Sequence, residues 1–114
     1  MAENKDTFKK TDGEYINSSE ANRQKAAYIK AQNDAGDKDL IRSQFYGTDM
    51  LTEMMGRTKA VGIRFANGLS DEGKSTLVLI PLDENGNEIP KDNSGLKDDG
   101  AGNGGNGPTC PPKC

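Results

Sequence analysis

The sequence predicts a small α+β domain in which one or two helices pack on an antiparallel sheet of three or four strands. Two segments are rich in helix-forming residues, and two later segments have the apolar spacing of strands. With 114 residues, 32% hydrophobic and 29% charged, the chain is long enough for one core and too short for two. We divide it into a flexible leader at 1–16, a folded domain at 17–90 and a disordered Gly/Asn/Asp tether at 91–114.

The first helix is expected to begin after Asn17. An asparagine can cap a helix N-terminus, and Glu20 stands three positions later, where it completes a capping pattern. Good helix formers continue to about Asn33. The apolar positions form only a thin stripe, so we expect this helix to lie loosely on the domain.

A short strand and a second helix follow. The segment LIRSQFY at 40–46 alternates apolar and polar residues and predicts a half-exposed strand. Thr48 is the expected N-cap of the next helix, and Gly56 is its expected C-terminal stop. The helix carries one face of three methionines and a leucine, which we interpret as a core face or, alternatively, as an adaptable partner surface. These residues are Met50, Leu51, Met54 and Met55.

The main strands are predicted at 60–66 and 76–82. The first alternates Val61, Ile63 and Phe65 with smaller or charged residues, and the second, TLVLIPL, is apolar on both faces. The turn-rich segment between them favours an antiparallel hairpin with a long loop. Beyond them, DENGNE predicts a type I′ turn at Asn85-Gly86, after which Ile89 could begin a short return strand.

Two loops resemble ligand-binding motifs. GLSDEGKS at 68–75 matches the phosphate-loop pattern, but a strand is expected after it where that motif requires a helix. DENGNE at 83–88 resembles the start of a calcium loop, but Glu88 stands at the sixth position, where glycine is required. We therefore interpret both segments as turns.

Composition argues against several function classes. The chain has no histidine, so Ser–His and Cys–His nucleophile pairs cannot form, and we expect no enzyme activity and no cofactor. Residues 83–114 hold six acidic residues against three lysines, and this segment carries the whole net charge of −3. Because a basic face is not legible, we expect no nucleic-acid partner.

The sequence also predicts a location in the cytoplasm. The first residues, MAENKDTFKK, lack the apolar stretch of a signal peptide, and the longest apolar run, at 77–82, is too short to span a membrane. We therefore expect no membrane partner. In the reducing cytoplasm Cys110 and Cys114 would be thiols at rest.

The terminal Cys110-Pro111-Pro112-Lys113-Cys114 is the strongest candidate site in the sequence. As a loose end it could be recognised by a protein partner, it could cycle as a dithiol, or it could supply half of a zinc site completed as Cys₄ by a second chain. Arg64, in the middle of a predicted strand, is the other candidate. It is expected in an ion pair or on the surface, or alternatively in an anion or partner site.

The order of these segments resembles a family of small uncharacterised proteins common in Bacteroidetes-type bacteria. The resemblance rests on the order of DMLTEMM, VGIRFANG, TLVLIPLDENGNEI, a low-complexity spacer and the terminal CPPKC, and it covers about residues 40–89 and 108–114. It corresponds to a G-I-R strand, a D-x-x-G-N turn and a C-P-P-x-C terminus. The resemblance implies a bacterial host and a shared layout in which the tail cysteines take part, and no catalytic residues.

Two functions are therefore expected. The first is a non-enzymatic interaction or accessory module that binds a protein partner or itself through uncovered sheet surface, with the tether presenting its cysteines. The alternative is a thiol-based redox or metal-handling protein in which Cys110 and Cys114 carry the chemistry.

Overall fold

The computed structural model of the chain describes residues 7–37, 40–91 and 102–114, and the α+β class is confirmed. Within these residues there are two helices and two small antiparallel sheets of two strands each. The elements, in chain order, are α1 (Ser18–Asp34), β1 (Ser43–Gln44), α2 (Thr48–Met55), β2 (Gly62–Leu69), β3 (Ser75–Leu82) and β4 (Thr109–Cys110). β2 pairs with β3 and β1 pairs with β4, so the predicted strands divide between two sheets.

Helix α1 has the predicted N-cap and, as predicted, only a narrow apolar stripe. The side-chain oxygen of Asn17 accepts a hydrogen bond from the backbone N–H of Glu20 at 2.8 Å, which satisfies one of the open donors of the first turn. None of its residues is buried. The helix is therefore held mainly by its own backbone bonds and surface pairs, as a stripe of alanines predicts.

The N-cap of helix α2 lies one residue earlier than expected. Gly47 occupies the N-cap position without a side-chain hydrogen bond, and Thr48 is already helical. The end at Gly56 is confirmed. Only Met54 is buried, whereas Met55 is 59% exposed, so the methionine face is half core and half surface.

The hairpin of β2 and β3 is the largest regular unit of the fold. Its pairing runs from Gly62 opposite Leu82 to Leu69 opposite Ser75. β2 begins two residues later than predicted, but at the turn both strands extend further, to Leu69 and from Ser75. The loop is correspondingly short and is closed by the N–H of Ser70, which donates to the carbonyl of Lys74 at 2.8 Å. The segment that matches the phosphate-loop pattern is this hairpin turn, with strand on both sides.

The turn after β3 differs from the predicted type. Gly86 has φ +87°, but Asn85 is not among the described residues with positive φ, so the type I′ turn is wrong. The Asp83 carboxylate accepts hydrogen bonds from the N–H groups of Asn85 and Asn87, both at 2.9 Å, and this fixes a type I turn followed by a glycine bulge. The return strand is reduced to a bridge, in which the Ile89 N–H donates to the Pro81 carbonyl.

The C-terminal residues correct the prediction of a tether at 91–114. Residues 92–101 lie outside the described residues, but 102–114 are packed on the domain. Gly104 and Leu79 exchange both backbone hydrogen bonds, at 2.9 and 3.0 Å, and β4 pairs with β1 in the register Ser43–Cys110 and Gln44–Thr109. The physical reason is that glycine lets a backbone approach where a side chain could not, so a segment without apolar residues still forms sheet bonds.

Arg57 holds this C-terminal segment to the end of α2. Its side chain is only 4% exposed, and it donates to the Glu53 carboxylate, to the carbonyl of Ile89 at 2.9 Å and to the carbonyl of Gly102 at 2.9 Å. A buried guanidinium needs such partners because its charge and donors have lost water. Three distant parts of the chain therefore meet at one side chain.

Replacing Glu53 with glutamine is expected to remove a small, pH-dependent part of the stability. The hydrogen bond from Arg57 holds the pKa of Glu53 below its ordinary value of 4.5. A lowered folded pKa stabilises the fold above the unfolded pKa, and this contribution is lost as pH falls through the folded value. Because Glu53 is 41% exposed, solvent screening limits the effect to about 0.5 kcal/mol.

Urea unfolding between pH 7 and pH 3 checks this prediction. The difference between the wild type and Glu53→Gln should shrink towards acid pH. Glu72→Gln, in the exposed hairpin turn, is the matched control. A constant difference across this range would contradict the assignment.

The N-terminal leader is also partly docked. The Phe8 N–H donates to the carbonyl of Glu84 at 2.8 Å, and the Phe8 ring lies 5.3 Å from the guanidinium carbon of Arg64. Residues 1–6 lie outside the described residues. The core is small: among the described residues its buried apolar side chains are Met54, Leu79, Pro81 and Leu82. Contacts from the N-terminal and C-terminal segments therefore add to it.

Candidate functional site: the open edge of β2

The backbone groups on the outer edge of β3 are satisfied in three different ways. The Leu77 N–H donates to the side-chain oxygen of Gln44 at 2.7 Å, and the Leu77 carbonyl accepts from the Tyr46 hydroxyl. Leu79 bonds through both backbone groups to Gly104. Pro81 has no N–H, and its carbonyl accepts from Ile89. The backbone groups that β3 directs away from β2 between 77 and 81 are therefore all satisfied.

Gln44 is the centre of this cover. Its amide nitrogen donates to the Thr76 hydroxyl at 2.9 Å and to the Gly107 carbonyl at 2.8 Å, while its oxygen accepts from Leu77. The Gln44 side chain thus takes the place of a neighbouring strand as hydrogen-bond partner of β3. It also connects the C-terminal segment to β3. Its half-buried position makes these bonds worth more than the same bonds in water.

Within the part of the chain that the structure describes, no hydrogen bond covers the outer edge of β2 in this way. In an antiparallel pair, opposite residues alternate between those that bond each other and those that direct both backbone groups outward. Leu79 directs its groups away from β2, and Phe65 lies opposite Leu79, so the N–H and C=O of Phe65 also face outward. The same holds for Ile63, Asn67 and Leu69. Among the described residues no backbone hydrogen bond reaches these outward groups.

Apolar side chains accompany this open edge. Phe65 is 57% exposed and Leu69 is 74% exposed. Beside them a groove of about 490 Å³ runs between α2 and β2. Its lining is apolar apart from one lysine, and consists of Leu51, Met55, Ala60, Val61, Gly62, Ile63, Phe65 and Lys10. We call the outward groups of 63–69 together with this groove the β2 edge site.

The structure separates the residues that the sequence singled out. Arg64 lies on β2 with its side chain over Phe8, and it is exposed. Cys110, Pro111, Pro112 and Cys114 lie at β4, which is attached to β1 on the outer side of β3. No hydrogen bond or ion pair in the described part of the chain joins the two groups, so they do not form one site.

The two cysteines are bonded to each other. Cys110 and Cys114 form a disulfide, and the guanidinium of Arg42 lies 3.7 Å from the Cys114 sulfur. The expectation of two resting thiols is therefore wrong for this structure, while the cytoplasmic location stays a prediction. Redox cycling or zinc binding at these sulfurs also stays a prediction, and retained zinc or exchange with an external dithiol would be its measure.

Sequence reasoning missed the β2 edge site because it depends on what covers the opposite edge. The apolar TLVLIPL indicated a central strand, but Pro81 was a usable signal that one side of β3 lacks a donor. Nothing local predicts that Gln44 and Gly104 occupy that side. With β3 covered there, β2 is left as the free edge of the hairpin.

Two further observations concern the described residues. Neither helix in ranges 7–37, 40–91 and 102–114 is both long and apolar enough to cross a membrane. No three acidic or cysteine side chains in these ranges are grouped so that they could hold a metal ion.

Comparison with known proteins adds no relative to this description. No protein-family model matches the chain, and neither a curated protein nor a solved structure matches it significantly.

Proposed function

We propose that this protein is a non-enzymatic interaction module that accepts an extended protein segment along the open edge of β2. The observation that carries the proposal is the contrast between the two edges of one hairpin. Every outward group of β3 from 77 to 81 is bonded, whereas the outward groups of β2 have no bonding partner among the described residues. An uncovered edge of eight residues is a ready template for another strand.

Strand addition suits the chemistry of this surface. The backbone groups of an incoming segment would satisfy those of Ile63, Phe65 and Asn67, which gives affinity without a particular side chain. Alternate side chains of the segment would lie beside the groove, where exposed apolar surface is available to be removed from water. Partner choice would then depend on the fit of those side chains against Met55 and Phe65.

The disulfide-closed terminus has a structural part in this proposal. β4 pairs with β1, whose Gln44 bonds to β3, and Gly104 earlier in the same segment bonds to Leu79. The C-terminal segment thus helps to cover the outer edge of β3, and this leaves β2 as the exposed edge of the pair. The cysteines thus contribute to the choice of binding edge, in place of the presentation on a loose tether that the sequence suggested.

A photo-reactive phenylalanine analogue at position 65 is expected to cross-link a protein partner in cells that make the protein naturally. Phe65 lies in the β2 edge site, so the analogue should give one or a few discrete adducts on irradiation. The matched control carries the analogue at Tyr15, an aromatic residue that is fully exposed and lies outside the groove.

A second substitution tests whether the cross-link depends on strand pairing at β2. Asn67→Pro removes an outward N–H from β2 and leaves the bonds between β2 and β3 in place, because Asn67 is not a bonding residue of that pair. The Phe65 adducts should disappear in this background. The proposal is wrong if position 65 gives no adduct beyond those of position 15, or if Asn67→Pro leaves the adducts unchanged.

A further inference from the structure

We infer that the segment accepted at the β2 edge is β2 of a second copy of this chain, paired antiparallel about a two-fold axis at Ala66. The inference rests on the proposed function and names its partner. It predicts a continuous four-stranded sheet in the order β3, β2, β2 and β3 across the dimer.

The spacing of the outward residues selects this register. Residues that bond across an antiparallel pair must be those whose backbone groups face outward, and in β2 these are Ile63, Phe65, Asn67 and Leu69. A two-fold axis at Ala66 places Ile63 opposite Leu69 of the second copy and Phe65 opposite Asn67. This is the one antiparallel alignment in which all four outward residues find partners within the strand.

The side chains are compatible with the same register. Ile63 and the exposed Leu69 would form an apolar cross-strand pair on the face that carries α2. On the other face Ala66 would meet its own copy, where only a small side chain is present. On the face of Ala66 the centre of the contact therefore has only small side chains, while on the opposite face Phe65 lies across from Asn67 of the second copy.

The position of Arg64, the charged residue of β2, is also compatible with pairing between two copies of the strand. Arg64 is the only charged residue of the strand, and in this register it lies opposite Gly68 of the second copy, which has no side chain. The two arginines would stand four positions apart along the sheet, about 14 Å at the rise of a β-strand. That separation exceeds the screening length of about 8 Å at physiological salt, so their repulsion is weak.

The size of the fold gives a physical reason for pairing. The hairpin is a two-stranded sheet, and a small sheet gains stability from each further strand that adds to its apolar face. Buried apolar side chains are few among the described residues. Joining two hairpins edge to edge doubles the sheet and covers Phe65 and Leu69 in the same step.

Gly68→Glu and Gly68→Lys test the register directly. A side chain fits at this position, since a Cβ there would meet Val78 and Thr76 at ordinary distances of 3.6 and 3.7 Å. Opposite Arg64 of the second copy, glutamate should strengthen the dimer and lysine should weaken it. Because each contact occurs twice per dimer, we expect the dissociation constants of the two variants to differ about tenfold or more.

The measurement is sedimentation velocity of the full-length protein over a wide concentration range, with Asn67→Pro as the blocked edge and Asn67→Thr as its control. A species of twice 12.2 kDa that responds in opposite senses to glutamate and lysine supports the inference. Circular dichroism confirms that each variant is folded. If Asn67→Pro does not fold, the Gly68 pair still decides the result.

Other outcomes overturn the inference in distinguishable ways. A monomer at every concentration, or a dimer equally stable with glutamate and lysine at position 68, excludes this pairing. If the Phe65 analogue then cross-links a different protein, the proposed function survives and its partner is not a second copy. Slow hydrogen exchange at the N–H groups of Phe65 and Asn67 in a monomer would mean that the chain covers its own edge, and both proposals fail.

Discussion

Removing residues 102–114 is expected to lower the melting temperature of the domain by about 10–25 °C. The loss includes the two backbone bonds between Gly104 and Leu79, the bond from the Phe45 N–H to the Pro108 carbonyl, and the bond from the Arg42 N–H to the Cys110 carbonyl. Each bond contributes about 0.5–1.5 kcal/mol net. Leu79, now fully buried, would also lose part of its cover.

The polar groups left behind add to this cost. The buried Arg57 would lose the Gly102 carbonyl, and the half-buried Gln44 would lose the Gly107 carbonyl. Together these terms amount to about 3–5 kcal/mol. Since small domains have about 5–15 kcal/mol of stability in total, the truncated chain would be marginal.

Thermal melts followed by circular dichroism measure this effect, at one protein concentration because any dimer makes the midpoint concentration-dependent. A chain that carries residues 102–114 in scrambled order is the control for length and charge. It should melt like the truncated protein. An unchanged melting temperature after truncation would mean that the segment is a loose tether, as its composition suggests.

The contrast between that composition and the structure shows what sequence reasoning could reach. Helix α1 and the hairpin were predicted because their signals are local: the Asn17 cap, the alternation of Val61, Ile63 and Phe65, and the turn formers between the strands. Each signal lies within about ten residues of what it determines. Such signals remain readable in any tertiary context.

The C-terminal contacts could not be predicted in the same way. The bond between Leu79 and Gly104 joins positions far apart in the chain, and neither residue carries a pattern that names the other. Composition indicates how much apolar area a segment can bury, and residues 102–114 can bury little. Its actual contribution is backbone pairing at a sheet edge, which a glycine-rich segment can make with few side chains.

The β2 edge site could not be predicted from the sequence for a related reason. Phe65 was correctly placed on a strand, but an open edge is a property of the whole sheet and depends on which strand the rest of the chain covers. The cysteine terminus drew attention because its residue types are reactive. Its pairing with β1 indicates a structural role. The residues at the open edge have no reactive side chains that would mark them in the sequence.

Gly104→Val is expected to lower the free energy of unfolding by about 1–3 kcal/mol, because this position has no room for a branched side chain. A Cβ there would lie 2.8 Å from the Met50 sulfur, 2.9 Å from the Met54 methyl carbon and 3.3 Å from the Leu79 Cβ. The two methionine ends can shift, but the Leu79 Cβ is fixed to the strand. Gly104→Ala should therefore cost less than valine.

Gly105→Val is the matched control one residue further on. A Cβ at Gly105 meets no heavy atom within 4 Å, and its φ is not positive, so valine there should change the stability by about 0.5 kcal/mol or less. Urea unfolding of the three variants at one concentration gives the comparison. Equal effects at 104 and 105 would contradict the close packing of Gly104.

Hydrogen exchange separates this packing effect from a general loss of stability. In Gly104→Val the Leu79 N–H loses its bond to the Gly104 carbonyl and should exchange faster, while the N–H groups of Val78 and Ile80, which face β2, should stay protected under native conditions. Selective exposure of Leu79 would place the damage at the outer edge of β3. Uniform acceleration along β3 would mean that the hairpin itself depends on this contact, and that the two edges of the sheet are not independent.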